Sequence, residues 1–150
     1  MASELAFEDF VPGRVFDLGT TVVDHEEMVA FARRFDPQPF HLDEDAAAAS
    51  MFGGLAASGW FTAGLWMRAY ADGVLNRATS LGSPGGEDIG WPAPVFAGDE
   101  LRASMEILEA RRSRSRTGLG LVKLRATLHR GEDLVFRSTF TGMFGTRDAG

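Results

Sequence analysis

Apolar and polar residues alternate along the last third of the chain. The apolar positions recur at every second residue, with charged or hydroxyl side chains between them, over 101–107, 122–128 and 134–144. Such alternation is typical of antiparallel strands that have one face on the core and one in water. We predict turns at 97–99 and 131–133 and a loop over 80–90. A proline-containing strand over 89–96 should lie at a sheet edge or contain a bulge.

The first half of the chain follows a helical pattern after one early strand. The β-rich segment 14–23 predicts that strand. Asp24, with Glu27 three residues later, predicts a capped helix start, and apolar residues follow at helical spacing. This helix should end near Asp36, because Pro37 disfavours helical geometry in the residue before it. A second, short helix is predicted from Asp43 to Ser50.

Residues 58–76 predict a long helix with apolar residues on nearly every side. A helix that is apolar all round is buried, so we expect this one in the core, with Ser58 as its N-cap. The order of strand, helices, buried helix and four strands predicts an α+β fold. An antiparallel sheet wrapped around the long central helix would bury that helix economically. No linker or repeat interrupts residues 1–150, which we interpret as a single domain.

Composition narrows the class of protein. The chain has 150 residues, 45% hydrophobic and 24% charged, which is typical of a soluble globular domain. It has no cysteine, so disulfides and thiolate nucleophiles are excluded. Residues 1–4 begin no basic or long apolar segment, so we expect no leader peptide, no membrane partner and a cytoplasmic location.

Charge is unevenly distributed along the chain. The net charge is −6, yet residues 101–130 carry eight basic residues against Glu106 and Glu109. A basic region can attract an anionic, phosphate-bearing ligand, although a solvated strand face explains the same pattern. Nucleic acid is not expected as a partner, because the protein is acidic and lacks an aromatic RNA-binding signature.

The segment Asp36-Pro37-Gln38-Pro39-Phe40-His41 carries the strongest chemical signal. Its two prolines predict a stiff, extended loop. Such a loop can aim the carboxylate of Asp36 and the imidazole of His41 at one point, as acid–base catalysis requires. A helix stop followed by a turn is the alternative interpretation. The other two histidines, His25 and His129, are predicted to be solvent-exposed.

Other kinds of site find little support. The acidic residues 43–45 lack a second nearby histidine or EF-hand spacing, and they suit a helix start, so neither a metal nor another cofactor is expected. No nucleophile elbow, dinucleotide fingerprint or Walker sequence occurs. At Ser58-Gly59 the missing side chain would let a ligand oxygen approach the Gly59 N–H, as in an oxyanion hole. Close packing is the alternative reason for this glycine.

Taken together, these residues resemble the MaoC-like dehydratase family, which includes the (R)-specific enoyl-CoA hydratases. The matching positions are Asp36, Gln38, Pro39, His41, Phe52 and Gly59, and the later segment 94–101 resembles a turn of that family. The resemblance implies a hotdog fold and a homodimer. It also implies that Asp36 and His41 activate water for addition to an enoyl thioester carried by coenzyme A, while Gly59 N–H holds the thioester oxygen.

The resemblance also implies substrate-side roles for Ser58, Gln38 and Phe52. Two of these positions depart from the family pattern, because Gln38 replaces the usual Asn and Ser58 stands where many hydratases carry His. The arginine-rich strands, with Arg111 and Arg114, could meet the phosphates of coenzyme A. Two other functions stay open: an acyl-CoA thioesterase on the same fold, and a non-catalytic acyl-binding subunit.

Overall fold

The structure, a computed structural model, describes residues 4–148 and contains one antiparallel sheet and four α-helices over that range. The strands are β1 (Val15–Val22), β2 (Gly85–Gly90), β3 (Glu100–Arg112), β4 (Leu119–Arg130) and β5 (Asp133–Gly145). The helices are α1 (His25–Phe35), α2 (Pro39–Leu42), α3 (Glu44–Ala48) and α4 (Gly59–Gly73). Two short 3₁₀ turns lie at Phe7–Asp9 and Leu75–Arg77.

The five strands are ordered β1-β3-β4-β5-β2 across the sheet, and every neighbouring pair is antiparallel. In β4 the alternating residues Val122, Leu124, Ala126 and Leu128 are fully buried, as the sequence pattern predicts. These residues and their counterparts on β3 and β5 form the surface on which α4 packs. The predicted α+β fold, with a sheet around a long central helix, is therefore confirmed.

Helix α4 is buried on one side only. Phe61, Trp66 and Tyr70 face the core, and the Trp66 indole N–H donates to the Ser104 carbonyl at 2.9 Å. The opposite side is open, with 59% of Trp60 and 46% of Met67 exposed. The prediction of burial all round was wrong for a single chain, because the sheet covers one face of the helix and no other layer within residues 4–148 covers the second.

Several helix boundaries follow the predicted capping residues. The Asp24 carboxylate accepts from the Glu27 N–H at 2.9 Å, and the Asp43 carboxylate accepts from the Ala46 N–H at 2.8 Å. Ser58 occupies the N-cap position of α4 but makes no side-chain capping bond. The helix ends at Gly73, earlier than predicted, because Val74 leaves helical geometry at φ −133° and ψ −60°.

Strand β2 corrects the prediction of a loop over 80–90 and a strand over 89–96. Residues 85–90 pair with β5, whereas 91–96 contribute only an isolated bridge between Phe96 and Ala56. The exposed strand is held by polar contacts rather than by apolar burial. The Asp88 carboxylate accepts from the Thr139 N–H at 2.7 Å and from the Arg137 guanidinium at 2.9 Å.

Among the described residues, none of the helices has the length and apolar character that a membrane-spanning segment needs. Met1, Ala2 and Ser3, on which the expectation of no leader peptide partly rested, lie outside the described residues.

Candidate active site

Asp36 and His41 converge although they lie on different local elements. Asp36 directly follows the last residue of α1, and His41 lies in the single turn of α2. The predicted extended loop is wrong for this second half, because Pro39 takes the first helical position, for which its fixed φ is suited. The Asp36 Oδ2 atom lies 3.3 Å from the His41 Nε2 atom.

The hydrogen bond made by the Nδ1 atom of His41 determines which of the two ring nitrogens carries the proton. His41 is 6% exposed, and its Nδ1 atom lies 2.7 Å from the carbonyl oxygen of Ala56. A carbonyl oxygen can only accept a hydrogen bond, so Nδ1 carries the proton. In its neutral form, His41 therefore presents the lone pair of Nε2 to the Asp36 carboxylate.

Two donors hold the Asp36 carboxylate in place. The Gln38 side-chain amide donates to Oδ1 at 2.5 Å, and the hydroxyl of fully buried Ser58 donates to Oδ2 at 2.7 Å. Burial alone raises the pKa of Asp36, whereas the hydrogen bonds from Gln38 and Ser58 lower it, and so does the charge of His41 whenever that ring is protonated. The pKa of Asp36 is therefore below its ordinary value, and the carboxylate is ionised at neutral pH.

The resulting pair has a specific chemical need. When His41 is neutral, its Nε2 atom and the ionised Asp36 carboxylate are both acceptors, and they face each other across 3.3 Å. Such a pair is satisfied by a group that donates a hydrogen to each of them. Water or a substrate hydroxyl next to the pair meets this requirement, and either would lose a proton to it readily.

Asp36 and His41 form the polar end of a cavity of about 450 Å³, called here the first cavity. Its other walls are mostly apolar, and Phe52 packs near His41 with the ring centroids 6.4 Å apart. The lining consists of Asp36, His41, Met51, Phe52, Ala56, Ala57, Gly59, Trp60, Thr62, Trp91, Pro92, Ala93, Pro94 and Val95. A ligand with an apolar body and one reactive polar centre suits this cavity.

Gly59 begins α4 at the edge of the first cavity. The N–H groups in the first turn of a helix have no partner within that helix. Ser58 does not cap them with its side chain, because its hydroxyl is used by Asp36. The start of α4 therefore presents peptide donors and the positive end of the helix dipole close to the acid–base pair.

Close packing, one of the two explanations left open by the sequence, accounts for the missing side chain of Gly59. A Cβ atom built on Gly59 would lie 2.7 Å from the indole ring of Trp91. The Trp91 ring N–H also donates to the Gly59 carbonyl at 2.8 Å. The side-chain position of Gly59 is thus filled by Trp91, so close packing explains the glycine, while Gly59 itself still lines the first cavity.

Trp91 is a cavity residue that sequence reasoning missed. Its segment was predicted as a strand, and its partner Gly59 lies 32 residues earlier in the chain. No local spacing connects the two positions. The only available signal was a large aromatic residue next to prolines.

The remaining candidates lie elsewhere. His25 is half exposed, as predicted, and His129 is only partly buried. None of the eight basic residues of 101–130 lines the first cavity. Five of them pair with carboxylates: Arg102, Arg112, Lys123, Arg125 and Arg130. The solvated strand face therefore explains this region better than a phosphate site.

Acidic residues 43–45 are used at the start of α3. Asp43 accepts a capping bond there, and Glu44 and Asp45 lie in the first helical turn. Within residues 4–148, no group of three or more His, Asp or Glu side chains is arranged to hold a metal ion.

Comparison with known proteins gives consistent similarities. Residues 9–129 match the MaoC like domain. The uncharacterized protein YdeM of Bacillus subtilis (strain 168) is 30% identical over 138 residues, which are 88% of this chain and 93% of that protein.

Two solved structures extend the similarity. The crystal structure of a MaoC-like dehydratase from Rhodospirillum rubrum is 37% identical, with a TM-score of 0.84 over 95% of this chain and 98% of that one. The HadBC (3R-hydroxyacyl-ACP dehydratase) complex from Mycobacterium tuberculosis is 26% identical, with a TM-score of 0.70 over 89% of this chain and 96% of that one.

Proposed function

This chain belongs to the family of MaoC-like dehydratases, and we propose that it is a hydro-lyase acting on a 2-enoyl or 3-hydroxyacyl thioester. In this proposal Asp36 and His41 activate the water that is added, or receive the hydroxyl that is lost. The observation that carries the proposal is the 3.3 Å approach of Asp36 Oδ2 to His41 Nε2 in one cavity. The arrangement supplies paired proton acceptors without a nucleophile or a metal.

The reaction can be balanced with these two groups. Water donates hydrogen bonds to Asp36 and His41, and one of the two accepts a proton as the water oxygen bonds to C3 of the enoyl group. The electron pair of the C2–C3 double bond moves toward the thioester oxygen and gives an enolate. Proton delivery to C2 then completes the 3-hydroxyacyl product, and dehydration follows the same steps in reverse.

The enolate oxygen needs a donor at the point where its charge develops. We assign this role to the N–H of Gly59, which begins α4 at the cavity edge. A peptide N–H at a helix start stabilises negative charge, and it is already oriented before the reaction begins. Ser58 and Gln38 act through Asp36 in this scheme, whereas Phe52 packs beside His41.

The substrate carrier is coenzyme A in our proposal. The hydroxyacyl-ACP dehydratase named among the similar structures shows that a protein carrier is a realistic alternative for the same thioester chemistry. The acyl group is uncharged, because Asp36 and His41 are the only titratable residues lining the first cavity among the described residues. A free carboxylate on the acyl group, as in a diacid thioester, would find no arginine or lysine in the lining of the first cavity.

We also propose a homodimer located in the cytoplasm. Apolar side chains exposed on the α4 side of the chain support the dimer, since a monomer seldom leaves such a patch in water. They include Trp60, Met67, Leu81, Ile89 and Trp91. Light scattering during size-exclusion chromatography tests this directly, and a mass near the 16.2 kDa of one chain would contradict it.

Hydration of crotonyl-CoA, followed as loss of the enoyl absorbance, tests the proposed activity. We expect turnover by the wild type and near-complete loss in Asp36→Asn and His41→Ala. His25→Ala is the matched control, because His25 is half exposed and outside the first cavity. Free thiol is measured in the same samples.

The outcomes separate the alternatives. Loss of enoyl absorbance without release of thiol supports the hydro-lyase, whereas release of thiol from saturated acyl-CoA would favour a thioesterase. Binding of acyl-CoA without any turnover on a panel of enoyl substrates, also delivered on acyl carrier protein, would favour a non-catalytic acyl-binding subunit. Full activity in both Asp36→Asn and His41→Ala would rule out the proposed pair.

A further inference from the structure

A second cavity lies farther along α4 and is almost wholly apolar. Its volume is also about 450 Å³, and it is lined by residues from α4, from the β2 region and from β5. On α4 the lining passes from Gly59, Trp60 and Thr62 in the first cavity to Ala63, Gly64, Trp66 and Met67 in the second. The two cavities are therefore neighbours along one helix.

Trp91 stands at the boundary between the two cavities. It lines the first cavity, and its ring centroid is 6.3 Å from that of Phe136, which lines the second. Ile89, two residues before Trp91, lines the second cavity. From the end of β2 into the segment after it, as along α4, the lining changes from the second cavity to the first.

Trp91 is held firmly for a side chain that is 37% exposed. Its ring N–H donates to the Gly59 carbonyl, and its ring fills the space where a Cβ of Gly59 would stand. The ring of Trp60 meets it edge-on with the centroids 5.3 Å apart. These contacts with Gly59 and Trp60 restrict rotation of the indole, so it acts as a fixed wall.

We propose that Trp91 is a specificity-determining residue that limits the length of the acyl group, an inference that rests on the proposed function. The thioester lies at Gly59, and the acyl chain extends from it within the first cavity. Trp91 closes that cavity toward the second, apolar one. The native substrate is therefore a short-chain acyl thioester, and removing the indole joins the two cavities for a longer chain.

Chain-length selectivity in four proteins tests this proposal: the wild type, Trp91→Ala, Trp91→Phe and Met51→Ala. Calorimetry gives the affinities for butanoyl-CoA and octanoyl-CoA, which are saturated and cannot be hydrated. Hydration rates give kcat/KM for crotonyl-CoA and trans-2-octenoyl-CoA. The quantity compared is the ratio of the C8 value to the C4 value in each protein.

We expect the wild type to favour the C4 ligand in both assays. Trp91→Ala should raise the C8/C4 ratio at least about tenfold, since hydrophobic pockets discriminate about 10–200-fold per methylene. Trp91→Phe keeps a ring but loses the N–H donor, and should give a smaller rise. Met51→Ala is the matched control, because Met51 lines the first cavity but not the second, and should change both chain lengths by a similar factor.

The possible results test the role of Trp91 separately from the proposed function. A C8/C4 ratio that stays within about threefold of the wild type in Trp91→Ala and Trp91→Phe, with hydration intact, overturns the role of Trp91 and leaves the proposed function standing. Equal use of the C4 and C8 ligands by the wild type would also overturn the role of Trp91 and leave the proposed function standing. If no acyl-CoA binds or reacts, the proposed function is wrong and this inference falls with it. Circular dichroism checks folding, and Trp91→Phe keeps the test decisive if Trp91→Ala does not fold.

Discussion

The two cavities along α4 have the same volume but different chemistry. The first contains Asp36 and His41 next to the start of the helix, whereas the second has no Asp, Glu, His, Lys or Arg in its lining. The most polar buried group of the second cavity is Tyr70, whose pKa is raised by burial, so its hydroxyl stays protonated. Volume alone therefore does not identify a reactive site.

The two cavities differ in chemistry because different elements of the fold line them. The first receives residues from the α1–α2 connection and from the uncapped start of α4. The second receives mainly side chains from the middle of α4 and from the sheet, where peptide groups are paired within their own elements. Of these two cavities, only the first brings a carboxylate and an imidazole next to an uncapped helix start.

Replacing the Asp36 carboxylate should have the largest effect of the series and should distinguish the reactive first cavity from the second most clearly. Asp36→Asn is expected to lower kcat/KM on the native enoyl thioester by about 10²–10⁴, the usual contribution of a positioned acid or base. Tyr70→Phe, the matched change in the second cavity, should stay within about threefold of the wild type. A larger loss in Tyr70→Phe than in Asp36→Asn would reverse the comparison.

Two glycines on α4 give the next largest contrast. Gly59→Ala places a Cβ 2.7 Å from the Trp91 ring and should destabilise the fold, whereas a Cβ at Gly64 meets nothing within 4 Å. We expect Gly59→Ala to cost about 1–3 kcal/mol. Gly64→Ala should stabilise the helix by about 0.5–1 kcal/mol. Denaturant unfolding measures both changes.

Trp91→Ala in the Gly59→Ala background checks the cause of this effect. Removing the ring should relieve the clash, so the double variant should lose less stability than the sum of the two single changes. Additive losses would show that Trp91 is not the neighbour that requires glycine at position 59.

Ser58→Ala should change the pH dependence of the reaction. Because the Ser58 hydroxyl helps to keep the pKa of Asp36 low, its removal should raise that pKa and move the acid limb of kcat/KM to higher pH. Losing one bond to an ionised group should also cost about tenfold in rate at neutral pH. Ser138→Ala, in the second cavity, is the control and should leave the acid limb in place.

The same pKa direction predicts how acid affects stability. The pKa of Asp36 is lower in the folded chain than in the unfolded chain, so ionised Asp36 stabilises the fold at pH values above its ordinary pKa. This contribution is lost as the pH falls through the folded-state value. Unfolding curves recorded across that window should therefore converge for the wild type and Ser58→Ala at the acid end, and a constant difference would contradict the assignment.

Gln38→Ala should have the smallest effect of the series. Gln38 also donates to Asp36, but its side chain is exposed and water can replace its amide. We expect a rate change within about threefold and a smaller shift of the acid limb than in Ser58→Ala. An effect larger than that of Ser58→Ala would show that Gln38, not buried Ser58, is the main support of the carboxylate.

The elements of the fold that depend on local chemistry were predictable from the sequence. Asp24 and Asp43 cap the helices that their positions predict, and the alternation over 122–128 marks the buried face of β4. Strand β2 was missed because its glycines and charged residues carry no apolar pattern. Pairing with β5 and the contacts of Asp88 hold it, and such long-range contacts leave no local signal.

The candidate site, like the fold, was predictable from the sequence only in part. The prolines in 36–41 point to a stiff segment, but they do not reveal that Pro39 begins a helical turn or that the two side chains approach to 3.3 Å. Ser58 has the residue type of an N-cap, yet its hydroxyl bonds to Asp36, 22 residues earlier. Whether the Ser58 hydroxyl caps α4 or bonds to Asp36 depends on how distant segments pack. The pairing of Trp91 with Gly59 could not be predicted for the same reason.

A double-mutant cycle on Asp36 and His41 tests the central claim most directly. The measurement compares kcat/KM for the wild type, Asp36→Asn, His41→Ala and the double variant on the same enoyl thioester. Groups that act as one unit give strongly non-additive losses. We predict that the double variant is no more than about threefold slower than the slower single variant. Losses that multiply, or wild-type activity in either single variant, would contradict the account.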